Sequence, residues 1–150
     1  MNSLFKFLHL ASVVVWVGGM FFAYLCLRPV AAAQLQPPLR LALWAGVFAR
    51  FFPWVWAAVV LIVVTGLSTM LAIGFAAAPL HWHLMLTLGL VMSAIFAYVY
   101  FRPYGALRAA VAAQNWPAGG AALGTIRQLV GVNLAIGVLT ILSATVGRLL

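Results

Sequence analysis

Four apolar runs of about twenty residues each, about Phe7–Leu27, Pro53–Phe75, Leu80–Phe101 and Leu129–Gly147, set the limits on what this chain can fold into. A hydrocarbon core of about 30 Å takes roughly 20 helical residues to cross. A soluble domain normally carries about a quarter charged residues, whereas this chain is 5% charged and 67% hydrophobic, with neither Asp nor Glu. Such a composition leaves no polar surface to show to water. The expected fold is an all-α membrane protein, a bundle of four transmembrane helices in a single domain over residues 1–150.

The missing carboxylates also exclude chemistry. Paired-acid hydrolysis, an Asp/Glu proton relay and a carboxylate-held Mg²⁺ or Ca²⁺ site cannot be built from these side chains. The formal charge of +8 is spread singly beside apolar runs, so it reads as topology signals and contacts to anionic headgroups, not as a nucleic-acid surface. Cys26 is the single cysteine. An intramolecular disulfide and a thiolate metal cluster are therefore excluded.

The chain also repeats itself. His9–Pro29, HLASVVVWVGGMFFAYLCLRP, recurs seventy-four residues later as His83–Pro103, HLMLTLGLVMSAIFAYVYFRP. Gln34-Leu35-Gln36-Pro37 matches Gln114-Asn115-Trp116-Pro117, and Arg50 and Arg127 each precede the next span. The expectation is two helix–loop–helix copies, about 5–76 and 79–149, related by a pseudo-two-fold axis along the membrane normal. Pro29 and Pro103 are expected to stop their helices, and Pro53 to start one. The loops, about Val30–Ala49 and Tyr104–Ile126, are expected to form short interfacial helices. Gly18, Gly19, Gly131 and Ala135 are candidates for close helix approach.

Each copy places a histidine at the same point, His9 and His83, near the outer end of its helix. Two neutral imidazoles facing across an axis suit axial ligation of haem b, or part of a copper site. The alternative is a pair of interfacial residues whose ring edges reach headgroup water, in the company of Trp82 and Tyr98. His81 points roughly 200° away from His83 on a helix; it is a candidate third ligand for copper and is not needed by a haem. Lys6, three residues before His9 on the same face, can pair with a haem propionate or simply anchor in the headgroups. Met85, with Met20, Met70 and Met92, offers soft thioethers for Cu(I), though methionine also fills apolar gaps. Asn133 needs a partner on a neighbouring helix, and Thr65, Ser68 and Thr69 can return their hydroxyls to their own backbone.

The segments LFKFLHLASVVVWVGGMFF, RFFPWVWAAVVLIVVTGL, HLMLTLGLVMSAIFAYVYFRPY and IRQLVGVNLAIGVLT resemble the CopD family of bacterial copper-resistance membrane proteins. The resemblance implies copper handling at the inner membrane, with His9 and His83 at the positions of the family's histidines. A more distant resemblance is to HemJ-type protoporphyrinogen oxidases, small haem-b proteins with a Trp-x-His-x-Lys pattern in the third helix. Here Trp82 directly precedes His83 and Met85 takes the lysine position, a departure from that pattern.

Three readings follow: a CopD-like protein holding copper or haem b between His9 and His83, a HemJ-like oxidase, and a non-catalytic membrane subunit. The sequence assigns no reaction and leaves copper against haem open. Candidate partners are the lipid bilayer, a periplasmic redox or copper-carrying protein and a second copy of the chain, with no nucleic acid. Arg28, Arg40, Arg50, Arg102, Arg108 and Arg127 lie in or beside the two long loops, against Lys6 and Arg148 at the termini. The positive-inside rule then puts the loops in the cytoplasm and both termini in the periplasm of a bacterial inner membrane. A cleaved signal peptide, suggested by Lys6 and Ala31-Ala32-Ala33, is opposed by the length of the first run and its match to an internal span. Reporter fusions after Gln36 and after Trp116 should both give cytoplasmic signals; a periplasmic signal from either reverses the orientation.

Overall fold

A computed structural model describes residues 2–147 of the chain, so Arg148, counted above among the terminal charges, lies outside the described residues. Each apolar run is helical, and each lies almost wholly within a longer helical stretch. The elements are α1 (Ser3–Phe21), a π-helical turn (Phe22–Leu27), α2 (Arg28–Gln34), α3 (Pro37–Ile73), a 3-10 turn (Phe75–Ala77), α4 (Leu80–Phe101), α5 (Pro103–Ala112) and α6 (Trp116–Val146). Four stretches are long and apolar enough to cross a membrane: Ser3–Gln34, Pro37–Ile73, Leu80–Ala112 and Trp116–Val146. Their outward faces suit lipid, since Val14 and Leu80 are 70% and 75% exposed. The chain is an all-α membrane protein.

The two Arg-Pro pairs behave differently. A proline inside a helix lacks one donor and its ring collides with the carbonyl four residues back. Around Pro29 the chain absorbs this by widening into the π turn, where the Arg28 amide reaches back five residues to the Ala23 carbonyl. In that register the carbonyl left without a donor by Pro29 is that of Tyr24, and the Arg28 side chain supplies one, Nε to O at 3.2 Å. The helix therefore continues to Gln34, where a stop at Pro29 was expected. At Arg102 the backbone does break (φ −114°, ψ −82°), and α5 restarts at Pro103.

The long-loop expectation is corrected in the same way. Pro37 and Pro38 occupy the first turn of α3, where a missing amide costs nothing, so the helix begins sixteen residues before Pro53 rather than at it. Pro53 sits inside α3 between Phe52 and Val55, which are 4% and 1% exposed. Tertiary packing on both sides holds the helix through it. In the second half, α5 buries Pro103, Tyr104, Leu107 and Ala110, and so covers the core as a short amphipathic helix. It ends with Gln114 in the left-handed region (φ 55°). The Asn115 amide bonds Ala110 O at 2.8 Å and the Gln114 amide bonds Val111 O at 3.2 Å, a Schellman closure. The Asn115 side chain then accepts from the Ala118 amide to start α6.

α1 packs antiparallel along α3 and α4 along α6, while α5 lies on the early turns of α6. Between α1 and α4 the rings of Trp16 and Phe96 bridge edge-on at 6.2 Å. The core continues from them as aromatic contacts through Phe52, Phe48 and Trp44, with Tyr104 edge-on to Phe52 at 4.9 Å. Asn133 is buried and donates to the Met92 carbonyl at 3.2 Å, joining α6 to α4, while its Oδ1 has no partner.

Glycines mark the closest approaches. A Cβ at Gly19 would meet the Phe51 ring, and one at Gly137 would lie 3.1 Å from Val17 and 3.2 Å from Met92. Gly131 faces Tyr24 in the same manner, whereas Gly18 has nothing within 4 Å and Ala135 is exposed. Gly137→Val should destabilise the bundle by about 1–3 kcal/mol through overpacking, read as a lowered melting temperature in detergent. Gly18→Val, matched in residue change, should melt within a degree or two of the parent, roughly the scatter of surface substitutions.

Candidate functional site

The three histidines all lie toward the end of the bundle that carries the start of α1, the Gly74–Pro79 connection and the end of α6. They do not share an environment. Among the described residues no three His or Cys side chains come together as a metal-binding group.

His9 is half-buried and faces α3. Its Nδ1 lies 2.8 Å from Thr65 Oγ1, and Gly66 leaves the ring room, a Cβ there standing 3.8 Å from His9 Cε1. Thr65 is 1% exposed and its hydroxyl donates to the Leu61 carbonyl one turn back. A hydroxyl has one proton. With that proton committed to Leu61, Thr65 can only accept from His9, so Nδ1 carries the hydrogen and Nε2 keeps its lone pair. Metal-ligating histidines are oriented in this way, with the far nitrogen held by an outer partner. The Thr69 hydroxyl returns to the Thr65 carbonyl at 2.7 Å, tightening the same turn.

His83 turns elsewhere. Its Nε2 donates to the Phe75 carbonyl at 3.0 Å, in the 3-10 turn that follows Gly74 (φ +89°). The lone pair of His83 is therefore on Nδ1, the opposite nitrogen from His9. The two anchors are also separated along the bundle. From Thr65 to the end of α3 at Ile73 is about 12 Å of helix at 1.5 Å per residue, and Phe75 lies beyond it.

His81 packs at the end of α6, where a Cβ on Gly147 would lie 2.6 Å from the His81 Cβ, and its ring meets Trp82 edge-on at 6.3 Å. Lys6 is exposed one turn before His9, and Met85 is half-buried on α4. The structure thus brings His9 to Thr65 and His83 to Phe75, and leaves His81 at the end of α6.

Thr65 was legible from its sequence only as a hydroxyl bonding its own backbone, which it also does. The signal for its second contact lay in the turn. Folding the chain back at Leu35 and Gln36 sets Gly19 opposite Phe52 and His9 opposite Ile62, one turn from Thr65. Thr65→Val removes the acceptor and should leave His9 as a mixture of tautomers in nitrogen NMR of labelled histidine, while Thr65→Ser should retain the Nδ1–H form. A parent spectrum showing His9 protonated at Nε2 would refute the assignment.

No match was found among curated proteins or among solved structures. Residues 45–147 match the family model described as copper resistance protein D, a range that includes His81 and His83 and begins after His9. With most of its length inside that match and four helices able to span a membrane, the chain belongs to the CopD family of copper-resistance membrane proteins.

Proposed function

We propose that this protein handles copper as cargo in a bacterial inner membrane, with His9 as the ligand that receives the ion on the periplasmic side. The observation that carries this reading is the pairing of half-buried His9 with buried Thr65. A neutral imidazole, held from behind by a hydroxyl whose own proton is committed, presents Nε2 as a fixed donor to a soft or borderline ion. Membership of a copper-resistance family supplies the identity of that ion.

Copper here is a passing substrate, and two or three nitrogen or thioether donors suffice to hold Cu(I) in transit. His9 provides the first. His83, held by the Phe75 carbonyl farther along the bundle with Nδ1 free, is a second and separate donor for the ion in transit, while Met85, two residues on, lies on another face of α4. Lys6, one turn nearer the helix start, acts as a headgroup anchor. The role is one of binding and transfer to a periplasmic copper-carrying partner, with no reaction assigned.

The haem-b alternative asks more of the same residues. A haem between His9 and His83 needs both imidazoles within axial reach of one iron at once, whereas His9 is held at Thr65 and His83 at Phe75, farther along the bundle. That difference favours copper. The HemJ-like reading also lacks the lysine of the Trp-x-His-x-Lys pattern, Met85 standing in its place.

Competition for Cu(I) between the purified protein and a chromophoric chelator tests the proposal. His9→Ala should weaken binding at least as much as the loss of an outer partner, Thr65→Val, expected at about 10–100-fold. His81→Ala should change it little. Unaltered affinity and stoichiometry in His9→Ala would sink the proposal. A Soret band in the purified protein would return the site to haem.

A further inference from the structure

The opposite end of the bundle holds a second site, independent of the copper reading. A cavity of about 290 Å³ lies between α2, the first turns of α3 and the first turns of α6. Arg28, Arg40 and Arg127 reach its wall from three different helices, accompanied by Tyr24, Trp44 and Trp116. The rest of its wall is largely apolar and includes the half-buried Leu123 and Val130.

Three guanidinium groups around one cavity repel each other. The usual remedy is a carboxylate, and this chain has no Asp or Glu. The counter-charge must come from outside. Arg28 is already set for it: its Nε is held by the Tyr24 carbonyl at 3.2 Å and its guanidinium lies 4.3 Å over the Tyr24 ring. The ring contact and the Nε bond fix the plane and leave the two terminal amino groups unspent. A fixed guanidinium fork matches the paired oxygens of a phosphate.

The depth and the walls narrow the ligand further. The cavity sits where the first apolar run ends at Leu27, with indole rings beside the arginines, the arrangement found at headgroup level. A free oxyanion would satisfy the arginines and leave the half-buried side chains of Leu123 and Val130 uncovered. A phospholipid satisfies both. Basic pockets between membrane helices bind anionic headgroups in this way.

We propose that this cavity binds one anionic phospholipid, with its phosphate on Arg28, Arg40 and Arg127 and the upper part of an acyl chain on Leu123 and Val130. The site is distinct from a general attraction of basic residues to the membrane surface, because Arg50, Arg102 and Arg108 lie outside it. Arg50 is exposed on α3, and Arg108 is exposed on α5 with its guanidinium 4.6 Å over the Tyr104 ring.

The test is lipid retention by the purified full-length chain, read by native mass spectrometry after titration with phosphatidylglycerol or phosphatidylcholine. One phosphatidylglycerol should be retained in preference to phosphatidylcholine. Arg28→Gln, Arg40→Gln and Arg127→Gln should each weaken it about fivefold, the value of one basic residue near a headgroup, while Arg50→Gln and Arg108→Gln leave it unchanged. Arg127 is exposed, so its variant folds independently of the cavity and keeps the comparison valid. Equal retention of the two lipids, or equal losses in the Arg50 and Arg28 variants, would overturn the proposal. Displacement of the lipid by millimolar inorganic phosphate would also overturn it, giving the same arginines to a soluble oxyanion.

Discussion

In hydrocarbon an apolar face gains nothing by leaving its surroundings for another apolar face, because lipid tails solvate leucine as well as a neighbouring helix does. The bundle therefore rests on fit. Van der Waals contact has to be closer between helices than between helix and lipid, and small residues opposite large rings provide it. Gly19 under Phe51, Gly131 under Tyr24 and Gly137 between Val17 and Met92 are such places. Around them Trp16, Phe52, Phe96 and Tyr104 interlock at ring separations of about 5–6 Å. The resulting core is dense. The space beside Asn133 amounts to about 30 Å³.

Chemistry appears where this packing is interrupted. The interior has few polar groups: Ser12 and Thr69 return their hydroxyls to their own helices, while Thr65 and Asn133 make contacts across helices. The π turn exists because of Pro29, and it lends Arg28 both a carbonyl and an aromatic ring that fix its direction. π turns recur at functional positions for this reason, since they displace one carbonyl from its helical partner. At the other end, Gly74 terminates α3 in a conformation that side chains resist, and the turn that follows leaves a carbonyl open to His83. His9 has no such turn beside it. It meets an unbroken helix, and so finds a hydroxyl in place of a carbonyl.

That contrast explains how far the sequence could be read. The four spans, the all-helical class and the two antiparallel helix pairs follow from the lengths of the apolar runs and the turns between them. The passage of helices through Pro29 and Pro53 does not, because it depends on Arg28 reaching Tyr24 and on the burial of Phe52 and Val55. The choice of Gly19 over Gly18 needs the rotation of α1 about its axis, and an almost uniformly apolar helix carries no marker of rotation. His9 and His83 match in sequence, yet His9 lies against the Thr65 hydroxyl of α3 and His83 against the Phe75 carbonyl of the 3-10 turn. Identical positions thus acquire different partners, and different ring nitrogens are left free.

Asn133 shows what a single polar group can do in such a setting. The fit of Gly137 against Met92 favours one alignment of α4 on α6 over those a turn away, about 5.4 Å along the axis. The amide of Asn133 has its bond to the Met92 carbonyl in that alignment only. In every other alignment its NH₂ would sit unpaired in hydrocarbon, at a cost of several kcal/mol. The residue therefore acts as an index pin. It adds little to how strongly the two helices hold together and, with Gly137, decides which of the neighbouring alignments is occupied once both have entered the bilayer.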